Sequence, residues 1–72
     1  MKILFTGASS FTGYWFIREL SAQGVSIHAL CRKPFSSYQG LRKKRLELLS
    51  SLCHLHFDCE LHSLIEKEKP FD

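Results

Sequence analysis

The chain has 72 residues, of which 44% are hydrophobic and 24% charged, and a formal net charge of only +3, so we expect one small globular domain. No apolar stretch approaches the roughly 20 residues that cross a membrane, and the N-terminus lacks a secretory cleavage site, so no membrane partner and no export are expected. The three cysteines, an odd number without disulfide spacing, favour a cytoplasmic protein.

Hydrophobic patterning predicts a regular alternation of strands and helices. In chain order the predicted elements are a strand over Lys2–Thr6, a helix over Phe11–Ala22, a strand over Val25–Cys31, a Ser-rich loop over Pro34–Gly40, a helix over Leu41–Leu52, a strand over His54–Asp58 and a helix over Leu61–Lys67. The predicted inward stripes are Gly13, Phe16, Ile17 and Leu20 in the first helix, and Leu41, Leu48, Leu49 and Leu52 in the second. Trp15 lies nearly opposite the first stripe and is expected to be exposed unless another part covers it.

This alternation predicts an α/β fold, the N-terminal half of a doubly wound sheet with three parallel strands in the order 3-2-1. Phe71 and Asp72 have the pattern of a fourth strand that is just beginning. We therefore expect residues 1–72 to form part of a larger domain, truncated at its fourth strand.

The segment from Thr6 to Gly13 links the first strand directly to the first helix. In such a turn, backbone N–H groups and the positive end of the helix dipole converge where a pyrophosphate can bind. Gly7 permits the tight turn, Gly13 allows the helix to pack closely, and Ser9 or Ser10 can cap the helix. The alternative is a tight turn that binds no ligand.

Thr6-Gly7-x-x-Ser10-x-x-Gly13 resembles the Thr-Gly-x-x-Gly-x-x-Gly fingerprint of the extended short-chain dehydrogenase/reductases, the family of NAD(P)-dependent epimerases and dehydratases. The resemblance runs from Lys2 to Asp72. It implies a partial NAD(P)-binding Rossmann domain whose turn contacts the cofactor through Gly7, Ser9, Ser10, Phe11, Thr12 and Gly13. It also implies that Asp58 binds the adenine amino group and that the backbone of Cys59 contacts the ring. The alternative for these two is a turn aspartate and a buried cysteine.

Ser10 departs from the fingerprint because it replaces the middle glycine. A serine there is small enough to let a phosphate approach, and its hydroxyl could donate to a phosphate oxygen. A strongly positive φ at this position would cost a non-glycine residue about 1 kcal/mol or more, so the backbone must avoid it.

The cofactor expected is NADP(H) rather than NAD(H). An NAD site normally places an acidic residue about 20 residues after the glycine turn, whereas this chain has none between Glu19 and Glu47. Arg32 and Lys33 follow the second strand instead, and a guanidinium suits the 2′-phosphate of NADP. The alternative is that both are solvated loop cations.

No catalytic residue is assigned. The family's chemistry uses Tyr-x-x-x-Lys, whereas here Tyr14 is followed by Arg18 and Tyr38 by Arg42. The resemblance implies the cofactor-binding part of an epimerase, dehydratase or reductase that acts by hydride transfer on a sugar nucleotide or a similar substrate. The alternative is a non-catalytic NAD(P)-binding sensor or regulator.

Two further clusters are interpreted as structural. The metal-ligand types near the third strand are Cys53, His54, His56, Cys59 and His62, but Cys53 should face the opposite side of the strand from His54 and His56, so no metal site is expected. The run from Arg42 to Arg45 spreads around its helix, and no nucleic-acid partner is expected. The run is interpreted as a solvated part of the helix surface that raises the local potential for an anionic dinucleotide.

Overall fold

The computed structural model describes all residues from Met1 to Asp72. Its elements are β1 (Lys2–Thr6), α1 (Phe11–Ala22), β2 (Ser26–Cys31), α2 (Gly40–Leu49), β3 (His54–Phe57) and α3 (Leu61–Glu68), with a single 3-10 turn over Phe35–Ser37. The predicted alternation is confirmed, and the largest difference is that α2 ends at Leu49 rather than at Leu52. None of the three helices combines the length and the apolar character that a membrane span requires.

The three strands form one open parallel sheet in the order β1-β2-β3, with β2 in the centre. Register pairs Thr6 with Leu30 at the end of β1 and Cys31 with Phe57 at the end of β2. Because parallel strands end at the same edge, the segments that follow β1, β2 and β3 meet there. Three parallel strands with three helices are consistent with half of a Rossmann-like fold.

The main core lies between one face of the sheet and helices α1 and α2. It comprises Ala8, Ile17, Ile27, Ala29, Cys31, Leu46 and Leu49. Ile27, Ala29 and Cys31 face this core because side chains alternate along a strand. His28 and Leu30 consequently face the opposite side of the sheet, where His28 lies 3.8 Å from Glu68 of α3.

The predicted buried stripes are only partly right. In α1 Gly13 and Ile17 are buried as predicted, but Phe16 is 56% exposed. Trp15 is 49% exposed, as expected from its position opposite the stripe. In α2 the buried residues are Leu46 and Leu49.

The predicted stripe of α2 is wrong at Leu41, Leu48 and Leu52, which are 72%, 51% and 40% exposed. The helix turns a different face to the sheet, centred between Leu46 and Leu49, and it ends before Leu52. The side of α2 that is buried is therefore the side that packs against the sheet, and it is not the side with the most leucines.

Candidate functional site

The turn between β1 and α1 is held tightly by two glycines. Gly7 has a φ of +80°, which L side chains rarely adopt. At Gly13 an added Cβ would lie 2.1 Å from the Gly7 carbonyl oxygen, far inside van der Waals contact. Helix α1 therefore starts directly against the turn, which only a glycine at position 13 allows.

Ser10 caps α1 and braces the turn. Its φ is −74°, so the backbone strain that a serine could have met at this position is absent. The hydroxyl donates to the Gly7 carbonyl oxygen at 2.7 Å and accepts from the Gly13 N–H at 3.0 Å. Since its one proton is engaged within the turn, Ser10 supports the shape of the site rather than offering a free donor.

The amino end of α1 has free backbone N–H donors and a positive electrostatic potential. The backbone N–H groups of Phe11 and Thr12 have no acceptor within the chain, and the first turn of α1 contains no acidic residue. The dipole of a 12-residue helix adds about half a positive charge at this end. This end of α1 is therefore suited to an anion.

A cavity of about 360 Å³ joins the glycine turn to the segment that follows β2. Gly7 and Ser9 line one side of it, and Arg32, Lys33 and Arg42 bring three cations to the rest of the wall. None of its 12 lining residues is acidic. The structure thus brings Arg32 and Lys33 to the same cavity as the turn.

Helix α2 contributes two arginines that the sequence analysis treated as solvated. Arg42 donates to the Ser9 hydroxyl at 3.0 Å, and Arg45 donates to the Ser9 carbonyl oxygen at 3.1 Å. Both lie on the side of α2 that carries the buried Leu46 and Leu49, since residues 42, 45, 46 and 49 follow the i, i+3, i+4, i+7 spacing of one helix face, but Arg42 itself is exposed and Arg45 half-buried. This spacing could have identified that face of the helix from the sequence, but the predicted stripe was placed on the leucines at positions 41, 48, 49 and 52 instead.

A second cavity, of about 490 Å³, lies at the same edge beyond β2 and β3. It is lined by Arg32, Asp58, Cys59, Glu60 and Leu61. Asp58 has a left-handed φ of +51°, and its N–H donates to the Lys33 carbonyl oxygen at 3.1 Å. This bond ties the two loops together, and Arg32 borders both cavities.

Not all of the predicted residues share these cavities. Gly13 is buried beneath the turn, and Phe11 and Thr12 line a shallow groove on the outer side of α1 with Trp15 and Phe16. The side chains of Phe11 and Thr12 therefore do not line the first cavity.

Cys31 and Cys53 are structural rather than reactive. Burial raises the pKa of Cys31 and that of Cys53 to about 11, so both remain thiols near neutral pH. Cys53 packs against the core, whereas the rings of His54 and His56 lie on the other face against His28, which confirms the expected division of the strand.

Comparison of the chain with known proteins gives no match to a family model, to a curated protein or to a solved structure. The function is therefore inferred from the turn, the two cavities and their charges.

Proposed function

We propose that the chain binds a dinucleotide at the carboxyl edge of its sheet and prefers NADP(H) to NAD(H). The observation that carries this proposal is the first cavity, where a glycine turn and three cations meet without any acidic residue. A pyrophosphate and a 2′-phosphate are the groups of NADP that such a surface attracts.

The two cavities suit different parts of the ligand. The pyrophosphate would lie against the turn, where the N–H groups of Phe11 and Thr12 are free to donate. The adenine would occupy the second cavity beside Asp58 and Cys59. Arg32 borders both cavities and would hold the 2′-phosphate between them with paired hydrogen bonds.

Following the resemblance of the turn, we propose that this binding serves a cytoplasmic extended short-chain dehydrogenase/reductase. The chain would hold the cofactor for an epimerase, dehydratase or reductase that transfers hydride to or from a sugar nucleotide or a similar substrate. Its own residues would supply binding and orientation, since none of them is assigned to the chemical step.

Calorimetric titration with adenosine 2′,5′-bisphosphate, ADP, NADP⁺ and NAD⁺ tests the proposal. If a 2′-phosphate and a pyrophosphate are both recognised, NADP⁺ should bind more tightly than either NAD⁺ or the bisphosphate. Loss of the 2′-phosphate contacts should weaken binding by about tenfold or more, since a charged hydrogen bond contributes about 1.5–3 kcal/mol. Equal affinities for NAD⁺ and NADP⁺ would refute the cofactor preference, and failure to bind any of the four would refute the site.

A further inference from the structure

The face of the sheet opposite to the main core carries a cluster of imidazoles. His28, at the centre of β2, is only 7% exposed. Its ring stacks on those of His54 and His56, with centroids 4.5 and 5.1 Å apart and interplanar angles of 16° and 21°. A buried position in a central strand normally holds an apolar side chain, so a histidine in this place requires a polar partner.

The partners of His28 are metal-ligand groups. Its Nδ1 lies 2.9 Å from Nε2 of His56 and 3.8 Å from Oε1 of Glu68, the last residue of α3. One ligand atom from each of these three residues lies within 4.8 Å of the other two. Two imidazole nitrogens and a carboxylate oxygen thus converge from three different elements.

We infer that His28, His56 and Glu68 form a binding site for a divalent transition-metal ion of the zinc class. Zinc accepts two imidazoles and one carboxylate, with bonds of about 2.0–2.2 Å and a water as the fourth ligand. Tetrahedral bonds of that length place ligand atoms about 3.3 Å apart. The observed separations of 2.9 Å and 3.8 Å for His28 lie on either side of this value, and all three ligand atoms lie within 4.8 Å of one another, so side-chain adjustment would complete the geometry.

The hydrogen bond between the two rings is also compatible with a metal. One proton now bridges the two facing nitrogens, and a shift of one ring to its other tautomer frees both lone pairs without net proton release. Phe71 covers His28 edge-on, with centroids 6.0 Å apart, and limits access of water.

Lys2 is the group that opposes a cation here. Its Nζ lies 4.0 Å from Oε1 of Glu68 and also donates to the Glu68 carbonyl oxygen. A bound dication would displace this ammonium toward solvent, which the partial exposure of Lys2 allows. None of these residues lines either cavity of the proposed dinucleotide site, so the two sites are separate. The role of the metal site would be to attach α3 to β2 and β3.

The experiment uses the full chain, freed of metal with a chelator and then desalted. Zn²⁺ alone is titrated in competition with a chromophoric chelator, and Co²⁺ is used to record the absorption of a tetrahedral site. We expect one equivalent of zinc to bind, and His56→Gln and Glu68→Gln each to weaken it by at least about tenfold. Lys2→Met should strengthen binding, because it removes the competing ammonium.

His62→Gln and His54→Gln are the matched controls. His62 is exposed on α3, and His54 stacks on His28 without contributing a ligand atom, so neither change should alter zinc affinity. Circular dichroism of each metal-free variant reports whether it folds. If His56→Gln does not fold, Glu68→Gln, at a partly exposed position, still tests the ligand set. Absence of zinc binding at millimolar concentration, or an equal loss in His62→Gln, would overturn the inference.

Discussion

The contact between Gly13 and the glycine turn predicts a severe effect of the smallest possible side chain. In Gly13→Ala the new Cβ would lie 2.1 Å from the oxygen and 2.9 Å from the carbon of the Gly7 carbonyl. Both atoms belong to the backbone, so α1 and the turn must separate by about an ångström to restore van der Waals contact. That movement stretches the two hydrogen bonds of the Ser10 hydroxyl, which measure 2.7 and 3.0 Å.

The change in the free energy of unfolding is the sum of two destabilising contributions and one stabilising contribution. Overpacking costs about 1–3 kcal/mol, and weakening the two hydrogen bonds costs about 1 kcal/mol more. Alanine is favoured over glycine within a helix by about 1 kcal/mol, which offsets part of this loss. We therefore expect Gly13→Ala to lower the free energy of unfolding by about 2 kcal/mol, and to weaken NADP(H) binding because the free N–H groups of α1 move with it.

Urea unfolding followed by fluorescence of Trp15, the only tryptophan, measures the stability change. Gly24→Ala is the control: Gly24 has a φ of +84° at the far end of α1, with no atom within 4 Å of an added Cβ. It should cost about 1 kcal/mol through backbone strain alone and leave ligand affinity unchanged. A Gly13→Ala variant as stable as the original chain would show that the helix does not approach the turn this closely.

Substitutions at two positions and one alkylation experiment also test the site. Arg32→Ala should weaken NADP(H) by about tenfold or more and NAD(H) much less, whereas Arg18→Ala, on the outer part of α1, should affect neither; equal losses for the two cofactors would contradict the assignment. Ser10→Ala should cost about 1 kcal/mol in urea unfolding and Ser10→Gly only a few tenths, as expected for the cap of α1, and equal costs would contradict its capping role. NADP⁺ should slow alkylation of Cys59, which lines the second cavity, and unchanged kinetics would place the adenine elsewhere. Cys53 serves as the internal reference because burial raises its pKa to about 11 and keeps it unreactive with or without ligand.

The sequence predicted the elements well because local chemistry determines them. Glycines 7 and 24 have φ values of +80° and +84°, and they lie at the end of β1 and beyond the end of α1, where the sequence analysis expected a turn and a helix end. The meeting of Arg32 with the glycine turn was also predictable, since parallel strands end at one edge of the sheet.

The features that were missed depend on tertiary placement. The leucines of α2 are distributed over more than one face, so the pattern alone could not identify Leu46 and Leu49 as the buried pair. His28 lies in an apolar run and was not grouped with the later histidines. Its contacts with His56 and Glu68 join residues 28 and 40 positions apart, which no local spacing reveals.

The amino end of α2 is electrostatically unfavourable in the absence of a ligand. Its cap residue, Gln39, makes no side-chain capping bond, and its first two turns carry Arg42, Lys43, Lys44 and Arg45 at the positive end of the helix dipole. Arg42 and Lys43, in the first turn, each cost about 0.3–1 kcal/mol, and residues that violate local preferences in this way are concentrated at functional sites.

An anion in the first cavity reverses the sign of these interactions, because Gln39 and Arg42 line that cavity. NADP⁺ at 100 times its dissociation constant should add about 2.7 kcal/mol to the free energy of unfolding. The gain in protection from amide hydrogen exchange should be larger in Gly40–Leu49 than in Leu61–Glu68, because only the former helix gains a compensating charge. Adding sodium chloride should reduce the effect, since salt screens exposed charges. Equal protection of both helices would show that the cations of α2 do not contact the ligand.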